Sequence, residues 1–281
     1  MSKNYATAPL PFQGQKRNFI KQFKEVLTTY PTDAIYVDLF GGSGLLSHTV
    51  KKENPNATVI YNDYDNFKKR LNAISTTNKL LDELRVVVKG LPNKQAIPEA
   101  VKLKILQVVA KADKNGFVDY ISLSSNILFS MNYVSSLDEL KKQKFYNKIR
   151  KTNYDATGYL KDVVFVRSDY KQLFNQYKDV KNVVFLVDPP YLSTDCSTYK
   201  NYWKLADYLD VLKVLKDTNY FYFTSNKSSV VELCEWIETN TGGKNPFNQA
   251  KVVYHYNSTT HNTGYTDIML HKRYTTNTTE L

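Results

Sequence analysis

Four consecutive residues, Asp188-Pro189-Pro190-Tyr191, combine an acid, two prolines and an aromatic ring. They follow an apolar stretch at 183–187 that predicts a buried strand. The Asp188 carboxylate and the Pro189 carbonyl offer two hydrogen-bond acceptors, which suit an amine with two N–H bonds. The prolines restrict the backbone, because proline fixes φ and has no N–H, and Tyr191 offers a face to a planar ring. We interpret the segment as a receptor for an amino group on an aromatic base, with an ordinary strand-end turn as the alternative.

A second stretch, D-L-F-G-G-S-G, lies between a predicted strand at 34–40 and a predicted helix. Glycines at a strand-to-helix turn let the backbone approach a ligand closely. The pattern does not complete the G-x-G-x-x-G dinucleotide fingerprint, so it favours a ligand without a pyrophosphate. A plain glycine-rich connection is the alternative. The residues assigned to this turn are Asp38, Phe40, Gly41, Gly42, Ser43 and Gly44.

Two further acids follow predicted strands. Asp63 comes after the strand at 57–61, where nucleotide-binding α/β folds place the acid that accepts hydrogen bonds from ribose hydroxyls. Asp169 comes after the strand at 163–167, where it can meet an adenine or its amine. A helix N-cap is the alternative for Asp169, because a helical pattern follows it directly.

The elements that must position these residues form an α/β pattern. Apolar strands are predicted at 34–40, 57–61, 163–167, 183–187, 220–224, 252–256 and 266–270, with helices between several of them. Strand, glycine turn, helix, strand and acid make a βαβ unit, so we expect a parallel sheet whose carboxyl edge gathers these residues. A lysine-rich segment with a helical pattern, running to Lys151, interrupts the strands.

The composition bounds the class of protein. The chain has 281 residues, and 38 Lys and Arg against 27 Asp and Glu give a net charge of +11. This balance favours polyanions such as nucleic acid or membrane surfaces, with a merely basic soluble protein as the alternative. The two cysteines, Cys196 and Cys234, form no CxxC pair, so a zinc site or a disulfide framework is not expected. No signal peptide or membrane span is predicted, and we expect a cytoplasmic protein.

The order of these motifs resembles the S-adenosylmethionine-dependent DNA adenine methylase family. The family's N-terminal element is matched by Pro11-Phe12-Gln13-Gly14-Gln15-Lys16, and its late Ser-Asn pair by Ser225-Asn226. The glycine turn, the inserted segment and D-P-P-Y follow in the family's order. Gln15 departs from the family's usual glycine, and Tyr120–Met131 matches the recognition segment loosely and lacks its arginine, so the target sequence does not carry over.

The resemblance implies an α/β fold: a Rossmann-like class I methyltransferase sheet with an inserted helical target-recognition domain. We expect a catalytic domain at 1–66 and 161–274, the insert at 67–160 and a tail at 275–281. S-adenosylmethionine would lie across the glycine turn, with no metal. The cofactor residues implied are Phe12, Gly14, Lys16, Asp38, Phe40, Gly41, Gly42, Ser43, Gly44, Asp63, Asp169 and Asp188.

The activity implied is methylation of the adenine 6-amino group in double-stranded DNA, on a base flipped into the site. The catalytic residues implied are Asp188, Pro189, Pro190 and Tyr191. Candidate DNA contacts are Lys141, Lys142, Lys144, Lys148, Arg150, Lys151, Tyr199, Lys200 and Trp203, with a solvated lysine face as the alternative for the first six.

Other readings stay open at this point. A cytosine-N4 DNA enzyme, an RNA amino-methyltransferase and a catalytically degenerate nucleic-acid-binding protein share parts of the pattern. A monomer or weak dimer is expected, and the sequence leaves open whether a cognate restriction endonuclease accompanies the chain.

Overall fold

The computed structural model describes residues 4–130, 132–191, 203–258 and 264–274. The chain divides into two compact units. The helical unit contains Met1–Gln15 and Asp65–Tyr159, and the sheet unit contains Lys16–Tyr64 and Leu160–Leu281. Residues 4–15 therefore group with the helices, whereas the resemblance implied a catalytic domain at 1–66 and 161–274.

The sheet unit is built on seven strands among the described residues. They are β1 Ile35–Asp38, β2 Thr58–Asn62, β3 Val164–Val166, β4 Val183–Val187, β5 Asn219–Ser225, β6 Lys251–Ser258 and β7 Gly264–Lys272. Their order is β3-β2-β1-β4-β5-β7-β6. Strands β1 to β5 are parallel, and β7 is antiparallel to both of its neighbours. This is the Rossmann-like methyltransferase sheet that the sequence predicts.

The helices of the described chain fall in the connections and in the insert. They are α1 Ile20–Leu27, α2 Leu45–Glu53, α3 Phe67–Asn72, α4 Ile74–Val87, α5 Glu99–Asn115, α6 Tyr120–Ile127, α7 Leu137–Lys141, α8 Tyr170–Tyr177, α9 Leu205–Leu215 and α10 Val230–Thr241. A single 3-10 turn, Arg17–Phe19, leads into α1. None of these helices combines the length and the apolar character needed to span a membrane.

Strand β4 lies in the middle of the sheet, and every one of its residues is buried. A strand buried on both faces reads as a continuous apolar run, which explains the composition of Val183–Val187. Its neighbours are β1, where Asp38 pairs with Leu186, and β5, where Tyr222 pairs with Val187. The register therefore places the residues that follow β4 and β1 at the same edge of the sheet.

The helical unit contains a buried ion pair that holds its N-terminal segment. Arg70 Nε lies 2.9 Å from Asp119 Oδ1, and both side chains are almost fully buried. The same guanidinium donates from Nη2 to the Pro11 carbonyl at 2.8 Å. Phe12 packs edge-on against Phe67, with ring centroids 5.7 Å apart. The segment that carries Phe12 is thus tied to α3 and to the start of α6.

The predicted helical character of the segment up to Lys151 is wrong beyond α7. Helix α7 ends at Lys141, and no helix continues through the residues that follow it up to Lys151. Phe145 forms a β-bridge with Leu128, and Tyr146 forms one with Ala96. The buried Phe145 ring needs a place in the core that a continued amphipathic helix would not supply. Tertiary pairing therefore overrides the local helical pattern.

Candidate active site

Asp188 meets a lysine from the N-terminal motif. Lys16 Nζ lies 2.6 Å from Asp188 Oδ2, with the lysine side chain 8% exposed and the aspartate 19%. The same ammonium lies 5.3 Å from the centroid of the Tyr191 ring. Burial raises the pKa of Asp188 above its ordinary value, and the Lys16 charge acts in the opposite direction. Sequence reasoning singled out both residues but missed their pairing.

The turn between β1 and α2 requires glycine for two different reasons. Gly42 and Gly44 have φ of 53° and 72°, in the left-handed region that side chains disfavour. At Gly41 the constraint is space, because an added Cβ would lie 2.2 Å from Tyr61 Cε2 and 2.6 Å from the Asn62 carbonyl oxygen. The Tyr61 hydroxyl also donates to the Gly42 carbonyl at 2.8 Å. The turn is packed directly on the end of β2.

Asp38 ends β1 beneath this turn and is almost completely buried. Its Oδ2 accepts a hydrogen bond from Ser47 Oγ at 2.6 Å. Its Oδ1 is buried and has no donor with hydrogen-bond geometry in the described residues, although the Phe40 amide is close enough to stabilise the charge. Burial raises the pKa of Asp38 to about 7, and the nearby charge of Asp188 contributes to the rise.

The raised pKa of Asp38 predicts a pH dependence of stability. The folded protein holds the Asp38 proton more tightly than the unfolded chain, so its stabilising contribution is complete below about pH 4 and is lost as the pH rises through about 7. For a shift of this size the loss is roughly 4 kcal/mol. Urea unfolding at pH 5 and pH 8 measures the larger part of it, about 2–3 kcal/mol. The wild type should lose more stability between these values than Asp38→Asn, and equal losses would contradict the prediction.

Asn62 is a site residue that the sequence patterns did not reveal. Its buried side chain donates to the Leu39 carbonyl at 3.0 Å and to the Ser168 carbonyl at 2.9 Å. Its oxygen accepts from the Ser168 amide at 3.0 Å. One amide group therefore joins the ends of β1, β2 and β3. The signal that the sequence offered was its position directly before Asp63, the candidate ribose acid. Nothing else in the local sequence pointed to Asn62.

The two strand-end acids have different surroundings. Asp63 is buried, and its Oδ1 accepts from the Tyr61 hydroxyl at 3.3 Å. Asp169 is exposed and caps α8, since its Oδ1 accepts from the Lys171 amide at 2.8 Å. Asp169 thus has the capping contact that the sequence offered as the alternative. Asp63 lies beside the glycine turn through Tyr61, which contacts both.

Aromatic side chains surround Phe40. Its ring centroid lies 4.9 Å from that of Tyr170 and 5.8 Å from that of Trp203. Tyr170 and Trp203 stack with an interplanar angle of 20°. Tyr208 packs on Trp203 and donates from its hydroxyl to the Tyr191 carbonyl at 3.4 Å. The sequence gave no role to the Tyr170 and Tyr208 rings, and the structure packs Tyr170 and Trp203 against Phe40 and Tyr208 against Trp203. The assignment of Trp203 to DNA stays a prediction.

The remaining candidates lie elsewhere. Phe12 and Gly14 belong to the helical unit. In the same unit Lys141 pairs with Asp138 at 2.8 Å, Lys148 Nζ lies 3.0 Å from Ser130 Oγ, and Arg150 covers the Tyr154 ring. Three more basic side chains are exposed there: Lys142, Lys144 and Lys151. Tyr199, Lys200 and Cys196 fall outside the described residues.

Residues 12–261 match the family of D12 class N6 adenine-specific DNA methyltransferases. The chain belongs to this family. A Haemophilus influenzae protein to which a methyltransferase function has been ascribed is 34% identical over 279 residues, covering 96% of this chain and 93% of the relative. The matched region includes the glycine turn, Asp63 and the segment from Asp188 to Tyr191.

A search among solved structures adds a distant likeness. Precorrin-6y C5,15-methyltransferase from Geobacter metallireducens superimposes with a TM-score of 0.39 and 9% identity, over 96% of this chain and all of that one. This similarity is too low to support a conclusion, so the assignment of the D12 class chain rests on its sequence match and on its strand order. The sequence match identifies an S-adenosylmethionine-dependent methyltransferase, and the strand order agrees with the fold that the resemblance implies.

The residues around the turn fit the cofactor that this family implies. S-adenosylmethionine carries an α-ammonium, a positive sulfonium and ribose hydroxyls. The buried Asp38 Oδ1, which lacks an aligned donor in the described residues, suits a cationic donor, because an unsatisfied buried acceptor is costly. Gly42 and Gly44 give the turn its left-handed backbone conformation, and Asp63 lies beside the turn with carboxylate oxygens that can accept from hydroxyls.

Proposed function

We propose that this chain is a site-specific DNA methyltransferase that transfers a methyl group from S-adenosylmethionine to the 6-amino group of an adenine flipped out of duplex DNA. The observation that carries the proposal is the acceptor at the end of β4. Asp188 already binds a nitrogen donor at 2.6 Å, beside the ring of Tyr191. An amino group on a planar ring suits this site, because its N–H bonds can reach the Asp188 carboxylate while the ring faces Tyr191.

The chemistry assigned to the chain is positioning and electrostatics. The Asp188 carboxylate and the Pro189 carbonyl accept the two N–H bonds of the target amine, which draws the nitrogen lone pair out of conjugation with the ring. Tyr191 stacks on the base, a contact worth about 1–3 kcal/mol in other base-binding proteins. Orienting the lone pair toward the electrophile converts the reaction into a direct displacement. Pro190 keeps the segment rigid.

The cofactor supplies an electrophilic methyl group on a sulfonium. The glycine turn, with Phe40 and Ser43, is assigned to its backbone contacts, Asp63 to the ribose and Asp38 to the α-ammonium. Asp169 is assigned to the adenine, and its exposed carboxylate keeps Oδ2 for that contact while Oδ1 caps α8. Phe12 and Gly14 are assigned to the same cofactor on the resemblance of their motif alone.

The helical unit is proposed as the target-recognition domain, with its basic side chains on DNA phosphates. Its candidates are Lys141, Lys142, Lys144, Lys148, Arg150 and Lys151. Phosphate contacts of this kind set the orientation of the protein and not its sequence preference. Each lost contact weakens binding most at low salt, because it reduces counterion release.

Transfer of tritiated methyl groups tests the proposal. Purified protein is incubated with labelled S-adenosylmethionine and either unmethylated genomic DNA or total RNA, and the modified nucleoside is identified by chromatography. We expect the label in DNA, in the nucleoside N6-methyl-2′-deoxyadenosine. Label in N4-methylcytosine or only in RNA would refute the adenine assignment in favour of those substrates. Label in neither, with the protein binding DNA, would indicate a catalytically degenerate binding protein.

A further inference from the structure

The contact between Lys16 and Asp188 has a chemical meaning beyond the stability of the fold. An ammonium and an exocyclic amine are both N–H donors, and a carboxylate oxygen accepts from either. Lys16 Nζ already holds Asp188 Oδ2 at 2.6 Å and lies over the Tyr191 ring, 5.3 Å from its centroid. The lysine therefore makes two of the three contacts that the proposed function assigns to the target base, the third being the Pro189 carbonyl.

We propose, resting on that function, that Lys16 is a positioning residue that keeps Asp188 ionised and holds its acceptor position until the target amine takes it. The two donors cannot share one place, so base entry is an exchange. The ammonium leaves Asp188 Oδ2 as the amino group arrives. No covalent bond changes in this step, and Asp188 remains a carboxylate throughout.

The exchange needs a second acceptor for the displaced ammonium, and β7 provides one. Asp267 pairs with Ser225 at the end of β5, and it accepts from Asn257 Nδ2 at 2.8 Å. Asp188 follows Val187, which pairs with Tyr222, so Asp188 lies level with Phe223. Phe223 pairs with Met269, and Asp267 is two residues from Met269 on the same strand. Because side chains alternate along a strand, Asp188 and Asp267 lie on the same face of the sheet. Burial raises the pKa of Asp267, and the Lys16 charge acts in the opposite direction.

The electrostatics of the cluster explain why a lysine is needed. Among the described residues, burial and the Asp267 charge disfavour the ionised form of Asp188 and Lys16 favours it, so the removal of Lys16 would make that form less favourable. A protonated Asp188 would donate where it must accept. Among the described residues, the titratable and charged groups around Asp188 are Lys16 before α1, Asp38 on β1, Asp267 on β7, Tyr222 on β5 and Tyr191 in its own segment.

Three variants separate this role from a merely structural one. Lys16→Met removes the charge at similar length, and Lys16→Arg keeps the charge on a group that forms stronger paired contacts with a carboxylate. Lys24→Met is the matched control. Lys24 lies on α1 and its ammonium pairs with Glu53 of α2 at 2.6 Å, and in the described structure it makes no contact with Asp188. Carbon-13 labelling of aspartate carboxyls allows Asp188 to be titrated by NMR in the absence of cofactor and DNA, with Asp188→Asn used for assignment.

The expected results differ for each variant. In Lys16→Met, Asp188 titrates at higher pH than in the wild type, and the pH profile of kcat for tritiated transfer to unmethylated DNA moves in the same direction. Lys16→Arg retains the wild-type titration but has a lower kcat, because the guanidinium leaves less readily. The Kd of S-adenosylmethionine, measured by calorimetry, stays within about threefold in both, less than the tenfold that 1.4 kcal/mol represents. Lys24→Met matches the wild type throughout.

Two results would overturn the proposal. An unchanged Asp188 titration in Lys16→Met would show that the lysine does not control its charge. A tenfold loss of S-adenosylmethionine affinity with an unchanged titration would assign Lys16 to the cofactor instead. If Lys16→Met does not fold, the kcat of Lys16→Arg decides, and a wild-type value refutes the exchange. Failure of the wild type to methylate DNA would refute the proposed function and leave the titration result standing.

Discussion

Replacement of Asp188 by alanine is expected to abolish methyl transfer while the protein still binds S-adenosylmethionine. The carboxylate is the only acidic acceptor in the D-P-P-Y segment, and in our assignment it acts on the reacting nitrogen. Removal of one well-placed electrostatic contact to reacting atoms typically costs about 10²–10³ in kcat. We expect at least a loss of this size in tritiated transfer to DNA, with the Kd of the cofactor, measured by calorimetry, changed less than about threefold.

Two further variants make this result interpretable. Asp188→Asn keeps the volume of the side chain and should lose activity to a similar extent, since a neutral amide replaces the charged acceptor. Asp33→Ala removes an exposed acid at the amino end of β1, the neighbouring strand, and should retain wild-type turnover. Near-normal turnover in both Asp188 variants would remove Asp188 from its assigned role. Loss of cofactor binding in Asp188→Asn would assign it to the cofactor.

Gly41→Ala is expected to disrupt the cofactor turn. The added Cβ would lie 2.6 Å from the Asn62 carbonyl oxygen, which belongs to the backbone of β2 and cannot move independently of the strand. Overpacking of this kind typically costs about 1–3 kcal/mol of stability. The turn must move to relieve the contact, and a displacement of about 1 Å at such a site can cost on the order of 10²-fold. We therefore expect a weaker Kd for S-adenosylmethionine by calorimetry and about a 10²-fold slower transfer of tritiated methyl groups to DNA.

Gly242→Ala is the control for a general effect of glycine replacement. Gly242 follows α10 with φ of 66°, and an added Cβ there meets no atom within 4 Å. This variant should lose about 1–2 kcal/mol from backbone strain but retain the cofactor affinity of the wild type. Equal cofactor affinity in Gly41→Ala and Gly242→Ala would show that the contact with β2 does not set the shape of the turn.

The sequence predicted the sheet well because its signals are local. Strand β4 is a run of five apolar residues that is buried on both faces, and the D-P-P-Y segment follows it directly. The glycine turn lies between a strand and a helix, where its backbone conformation is required. The segment up to Lys151 was misjudged for the opposite reason. Its periodicity is helical, but Phe145 pairs with Leu128, seventeen residues earlier, and no local pattern records that contact.

The sequence by itself determined the residue types of the site and their order, because parallel strands bring their carboxyl ends to one edge wherever the intervening chain goes. Asp63 and Asp188 were therefore singled out from strand ends, and Asp38 was singled out with the glycine turn. Only the tertiary structure decided which side chains meet. Lys16 lies 172 positions before Asp188 in the numbering, yet its ammonium is 2.6 Å from that carboxylate. Asn62 likewise joins three strand ends through one amide. Contacts between distant residues depend on register and burial, which the fold sets as a whole.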